Sequence, residues 1–128
     1  MKPTSIIEDR NKALRALHRA IISESRNLGY LTCATIVVYI YGQPAPRFYI
    51  TPYSARLYIN GRKTADSKRK RDMVADLKEA FVRLQRENPY APKEWLYEKV
   101  VEQPAKSFYM SKHRIKEIVF NYSGRNGK

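Results

Sequence analysis

The sequence is poor in the side chains that most catalytic and metal sites need. It has one cysteine and two histidines in 128 residues, and twelve acidic residues against 25 Lys and Arg. A single cysteine excludes an internal disulfide, and Cys33, set in an apolar run, is expected to be a small buried hydrophobe. No spaced His/Cys cluster, Ser-His-Asp set or glycine-rich phosphate loop can be assembled. We therefore predict a protein that is not an enzyme and uses no metal or cofactor.

Long hydrophobic runs are also missing. The longest apolar stretch, residues 31–41, is too short to span a bilayer. The first ten residues, MKPTSIIEDR, lack the apolar region and the cleavage site of a signal peptide. These absences predict a cytoplasmic protein without a membrane partner.

Positive charge is what the chain has in excess. The formal net charge is +13 and the sequence pI is about 10.0, while a hydrophobic fraction of 43% is ordinary for a folded domain. Such an excess says little about the fold, but it favours a polyanion as the binding partner. Nucleic acid is the commonest polyanionic partner of a small basic protein.

A nine-residue segment occurs twice. QPAPRFYIT at 43–51 returns as QPAKSFYMS at 103–111, with five of nine positions identical. The same offset of sixty residues aligns residues 13–59 with 73–119 without a gap. A register held over that length indicates a duplicated supersecondary unit. We predict an all-α fold of two tandem pseudo-symmetric three-helix units, repeat one at 5–61 and repeat two at 66–123, packed as one domain over 1–128.

The repeat also decides the secondary structure. Residues 31–41, LTCATIVVYIY, favour a strand by propensity, but their counterparts 91–101, APKEWLYEKVV, have helical spacing. Residues 55–59 before Asn60-Gly61 resemble a hairpin arm, yet their counterparts are helical, so Gly61 is interpreted as a helix stop. In copy one the predicted helices span about 5–27 and about 31–41, and a third begins at 51–52. In copy two they span 67–88 and about 92–102, and a third begins at 111.

The helix that begins at 111 is the candidate recognition helix. Its apolar stripe, with Ile115 and Ile118, leaves a basic set facing elsewhere: Lys112, His113, Arg114 and Lys116. In a helix-turn-helix arrangement, residues 95–102 would support residues 112–122 in the major groove. A solvated basic face is the alternative, and the connection 104–110 is long for the motif. At the equivalent positions of copy one, Tyr53, Ser54 and Arg56 would contact phosphate, or copy one is purely structural.

A second basic cluster lies between the copies. It comprises Arg62, Lys63, Lys68, Arg69, Lys70 and Arg71. Positive charges at a helix N-terminus oppose the helix dipole, and a phosphate backbone would relieve that repulsion. The tail 121–128 would reach along a duplex. The aromatic pairs 48–49 and 108–109 are interpreted as core staples in preference to base-stacking platforms.

The two nine-residue segments resemble a motif of small, uncharacterised bacterial proteins in which a PAPRFYVS-type segment precedes a short helix. Copy two departs from it at Lys106 and Ser107, and the resemblance implies no established activity. The second copy more generally resembles the helix-turn-helix class, which implies DNA binding by analogy. We therefore expect a duplex DNA-binding protein. The alternatives are a protein-interaction or structural module that docks an acidic partner and, third, an RNA-binding protein; the sequence leaves the oligomeric state open.

Overall fold

The computed structural model describes residues 5–24 and 32–120, and the regular elements there are all helices. The prediction of an all-α fold is confirmed, including the two segments whose residues favour strands. The predictions for residues 25–31 and for the tail 121–128 lie outside the described residues. The helices are α1 (Ile6–Glu24), α2 (Cys33–Tyr41), α3 (Pro52–Ile59), α4 (Lys68–Glu87), α5 (Lys93–Val100) and α6 (Lys112–Phe120).

Side-chain caps begin four of these helices where the sequence predicts them. At α1 the Glu8 N–H donates to Ser5 Oγ at 3.0 Å, and the Ser5 N–H donates back to Glu8 Oε1 at 3.3 Å. Thr51, Ser67 and Ser111 each accept a hydrogen bond from the backbone N–H three residues later. Each cap satisfies an amide that has no partner within its own helix, which fixes the starting residue.

The end of α3 confirms the helix-stop interpretation of Gly61. This glycine has a φ of 73°, in the left-handed region. Its N–H donates to the Tyr58 carbonyl at 3.2 Å, and the Arg62 N–H donates to the Leu57 carbonyl at 2.8 Å. These two bonds form a Schellman motif, which terminates a helix and leaves no hairpin.

The chain divides into two compact units whose boundaries differ from those of the predicted repeats. Unit 1 comprises Met1–Gln43 and Met110–Lys128, and unit 2 comprises Pro44–Tyr109. In unit 1, α1, α2 and α6 pack on one another; in unit 2, α3, α4 and α5 do so. Each unit therefore combines the first two helices of one predicted repeat with the third helix of the other.

This connectivity corrects one expectation. The helix at 95–102 was predicted to support the helix at 112–122, but α6 packs on α1 and α2, whereas α5 packs on α3 and α4. A helix-turn-helix needs a tight turn between consecutive helices. Here α5 ends at Val100 and α6 begins at Lys112, so eleven residues connect them.

Each unit has its own apolar core. In unit 1, α1 contributes one buried side chain, Leu14, and the other buried apolar residues in the described part of the unit are Ile36, Val37, Ile40, Met110, Ile115 and Ile118. In unit 2 the inward face of α4 comprises Met73, Leu77, Phe81 and Leu84, all of them buried. Leu14 is the one side chain of α1 that is buried, whereas α2 buries three.

In unit 2 the two nine-residue segments pair with each other. Ala45 and Ala105 form an antiparallel bridge with reciprocal N–H to carbonyl bonds of 3.0 Å. The Phe48 ring stacks on Tyr109 with centroids 6.2 Å apart, and Tyr49 stacks on Phe108 at 6.0 Å. Phe48 is 2% exposed and Phe108 is 8% exposed. These four aromatic rings form two stacked pairs, in agreement with the interpretation that they belong to the core.

The connection before α6 is anchored to α4. The Tyr109 hydroxyl donates to Asp76 Oδ2 at 2.5 Å, and Lys106 Nζ lies 3.7 Å from Asp76 and 3.2 Å from Glu79. Burial, followed by the bond to Asp76, raises the pKa of Tyr109 above its ordinary value. Tyr109 also has a φ of 57°, which a residue with a side chain rarely adopts. These contacts hold Lys106 and Tyr109 of the connection against α4.

Candidate nucleic-acid interface

Helix α6 separates an apolar side from a basic side. Ile115 and Ile118 are buried in unit 1, at 1% and 5% exposure. The four predicted cations of this helix, Lys112, His113, Arg114 and Lys116, are all exposed. The sequence predicted this division from helical spacing, and the structure brings the four side chains together on one element.

One carboxylate partly compensates this basic face. Arg114 Nη1 lies 3.1 Å from Glu117 Oε1, and His113 Nε2 lies 3.2 Å from Glu117 Oε2. The hydrogen bond from Arg114 is the largest influence on the pKa of Glu117, which is lowered. Lys112 Nζ lies 5.1 Å from the centre of the Tyr41 ring of α2. Since Glu117 is the one acidic residue of α6, the helix retains net positive charge.

Helix α1 adds a cation that the sequence analysis missed. Arg10 donates from Nε and Nη2 to Asn11 Oδ1, at 3.2 and 3.1 Å. Burial lowers the pKa of Arg10, and the positive charge of Arg114 lowers it further. Two guanidinium groups are therefore near enough to repel each other, which favours an anion beside them. Nothing in the sequence spacing relates α1 to α6; only the helix packing of unit 1 does.

The copy-one candidates lie on α3 of unit 2. Tyr53 is 65% exposed, and Arg56 is also exposed. Both point away from Ala55 and Tyr58, which are buried in the core of this unit. Ser54 is half-buried, and its N–H caps the helix through Thr51. This face is accessible, but it carries less charge than the face of α6.

The junction cluster surrounds the start of α4, also in unit 2. Its members Arg62, Lys63, Lys68, Arg69, Lys70 and Arg71 are all exposed. Lys63 Nζ lies 5.2 Å from the Tyr58 ring centre, Lys68 pairs with Asp72 at 3.0 Å, and Lys70 with Asp66 at 3.8 Å. Arg69 and Arg71 have no ion pair within the described ranges. Exposed pairs of this kind contribute little, so the cluster stays basic.

The predicted site residues thus form two groups. The α6 group belongs to unit 1, while Tyr53, Arg56 and the junction cluster belong to unit 2. Cys33, expected to be buried, is exposed. It is the first residue of α2, directly after the cap Thr32, and the buried positions of this helix begin one turn later at Ile36.

Other chemistry finds little support in residues 5–24 and 32–120. There, no group of three or more His, Cys, Asp or Glu side chains is placed to hold a metal ion. In the same ranges, no helix is both long enough and apolar enough to cross a membrane. Comparison with protein-family models, with curated proteins and with solved structures finds no match. The candidate site therefore rests on its own charge and geometry.

Proposed function

We propose that this protein binds duplex DNA and that α6 is the element that enters the major groove. The observation that carries the proposal is the division of α6, with Ile115 and Ile118 buried in unit 1 and four basic side chains exposed. The major groove is wide enough to admit an α-helix, and its base edges are read by exposed polar side chains. The helix is held by α1 and α2 rather than by the helix before it in sequence.

The residues of this face have distinct chemical roles in the proposal. Arg114 has the fork of donors that pairs with guanine O6 and N7, and Glu117 holds its guanidinium at 3.1 Å. Lys112, His113 and Lys116 contact phosphate or base edges. Arg10 adds a second guanidinium from α1, and a bound phosphate would relieve its repulsion with Arg114.

The junction cluster supplies phosphate contacts that do not depend on base sequence. Arg62, Lys63 and residues 68–71 are exposed, and only two of them have an ion-pair partner in the described part of the chain. Tyr53 and Arg56 on α3 would add a hydroxyl and a guanidinium. Phosphate neutralisation releases counterions, so this part of the binding energy depends on salt.

We also propose that the chain arose by tandem duplication and that the two nine-residue segments are related by a local pseudo-twofold axis. The contacts inside unit 2 support this relation. Ala45 and Ala105, which are equivalent positions, exchange reciprocal bonds, and the pair Phe48–Tyr109 is the counterpart of Phe108–Tyr49. A contact in which i touches j and the equivalent of j touches the equivalent of i is characteristic of twofold symmetry.

Titration of labelled duplex at several salt concentrations tests the DNA proposal. Binding should weaken with a log–log slope of roughly −0.9 per phosphate contacted. Changing Lys68, Arg69, Lys70 and Arg71 to Ser should flatten this slope for any sequence. Arg114→Ala should instead cost roughly 1 to 3 kcal/mol on a preferred site and leave nonspecific binding nearly unchanged.

Arg83→Ser is the matched control, since Arg83 is an exposed cation of α4 that lies twelve residues after Arg71, the last member of the junction cluster. This variant should bind nearly as the parent protein does. An absence of binding at low salt, despite a charge of +13, would refute the proposal. Tighter binding of RNA than of DNA would replace duplex DNA as the ligand.

A further inference from the structure

Helix α2 presents an apolar surface that its equivalent in the other copy does not. Its core side consists of Ile36, Val37 and Ile40. The opposite side, here called the α2 outward face, consists of Ala34, Thr35, Val38, Tyr39 and Tyr41, all of them exposed. Val38 is 54% exposed and Tyr39 is 53% exposed. A helix that is apolar all round is ordinarily buried, yet this one leaves half of its surface uncovered.

Helix α5 is an internal reference for this surface. It occupies the same place in unit 2 that α2 occupies in unit 1, packed between the long first helix and a third helix. At the positions that correspond to Ala34 and Val38, α5 has Glu94 and Glu98, and Lys99 corresponds to Tyr39. Charged side chains at these positions are thus compatible with the packing. The uncharged residues of α2 are not needed to build the unit, which indicates that something covers them.

The charge around this face restricts what the partner is. Lys112 of α6 lies at its edge, with Nζ 5.1 Å from the Tyr41 ring centre. Unit 1 has eleven Lys and Arg against four acidic residues, a net charge of +7. A second copy of this chain would bring the same basic edge and the same net charge to the contact. Charge complementarity therefore disfavours self-association and favours an acidic partner.

We propose that the α2 outward face is a docking site for an acidic amphipathic helix of another protein. Apolar side chains of the partner would pack against Val38, Tyr39 and Tyr41, and its carboxylates would lie beside Lys112. Two helices pack well when the side-chain ridges of one fit the grooves of the other, which suits the convex face of α2. This inference does not depend on DNA binding, because α2 contributes none of the proposed DNA contacts and Lys112 is the one residue that the two proposals share.

The test uses a synthetic helical peptide with leucines at helical spacing on one face and glutamates flanking them. Its affinity for the full-length protein is measured by fluorescence anisotropy, beside a peptide in which every glutamate is lysine. We expect the acidic peptide to bind and the basic peptide to bind at least about tenfold more weakly, a difference of about 1.4 kcal/mol. The variant Val38→Glu introduces the residue that α5 has at this position, and it should weaken binding of the acidic peptide by at least about tenfold.

Val82→Glu is the matched control, because Val82 is an exposed valine of α4 in unit 2, at 49% exposure. Circular dichroism establishes that both variants remain helical. Equal binding of the two peptides, no binding of either, or equal losses in both variants would overturn the proposal. Two other results would also overturn it, namely Val38-dependent dimerisation in analytical ultracentrifugation and Val38-dependent binding to phosphatidylserine vesicles.

Discussion

The exchange of third helices makes a prediction that the order of helices along the chain does not. Ile115 of α6 is 1% exposed and packs in unit 1, together with α1 and α2. Ile115→Ala removes three buried carbon atoms, and such truncations cost roughly 2 to 5 kcal/mol. Because the site is almost fully enclosed, we expect a value in the upper half of that range. That loss is a large fraction of the stability of a typical domain, about 5 to 15 kcal/mol.

The location of the loss is more informative than its size. Helix α1 has a single fully buried residue, Leu14, so it relies on α6 for its packing. In Ile115→Ala, amides of α1 and α2 should lose protection from hydrogen exchange, while those of α4 and α5 keep theirs. Peptide-resolved exchange measured by mass spectrometry follows both sets in one experiment.

The mirror variant is Tyr58→Ala on α3, whose side chain is 4% exposed and packs in unit 2. It should loosen α4 and α5 and leave α1 and α2 protected. The reasoning is refuted if Ile115→Ala deprotects α5 while α1 remains unchanged, because α6 would then be supported by its neighbour in sequence.

Three further predictions concern single residues. Burial and then the charge of Arg19 lower the pKa of His18 from 6.5, and its Nε2 is buried without a hydrogen-bond partner within the described ranges. As pH falls, the unfolded chain binds a proton at His18 before the folded chain does, so the free energy of unfolding should decrease below about pH 6.5. In urea titrations, the free energy of unfolding of His18→Leu should depend less on pH than that of the parent protein. Tyr109→Phe removes the hydroxyl that donates to Asp76, and thermal unfolding should show a loss of roughly 1 to 3 kcal/mol; no loss would mean that the bond is replaced by water. Gly61→Ala should cost roughly 1 kcal/mol through strain at a φ of 73°, since no atom lies close enough to clash with a new Cβ; an unchanged melting temperature would contradict this.

Local structure was largely predictable from the sequence because its causes are local. The starts of α3 and α6, at Thr51 and Ser111, and the helix stop at Gly61 were predicted from residue chemistry alone. The helical state of residues 33–41 was not predictable from propensity, since Val, Ile and Tyr favour strands. Comparison with the clearer copy at 93–100 resolved it, because equivalent positions of a repeat tend to share a backbone conformation.

Helix packing was not predictable in the same way. Sequence order suggested that α5 supports α6, because consecutive helices usually pack together. Which helices a segment packs on depends on contacts between residues that are distant in sequence, such as Tyr109 with Asp76 on α4. The same limit applies to the site. The basic stripe of α6 follows from helical spacing, but the approach of Arg10 to Arg114 requires knowing that α1 packs on α6.

The identities between the two copies indicate where the fold is specified, and the differences indicate where function lies. Five of the nine positions in the repeated segment are identical, and three of these, the alanine, the phenylalanine and the tyrosine, form the bridge and the stacked rings of unit 2. This motif therefore has a structural task that both copies need. Residues 112–116 of α6 include four basic side chains, whereas the equivalent residues 52–56 include one. Helix α2 is uncharged at the positions where α5 has Glu94 and Glu98. Since both versions of each helix pack in equivalent surroundings, packing does not account for these differences. The two proposals would account for them, since the proposed DNA contacts of α6 and the proposed docking site on α2 both lie in unit 1, on helices whose equivalents in unit 2 differ in sequence.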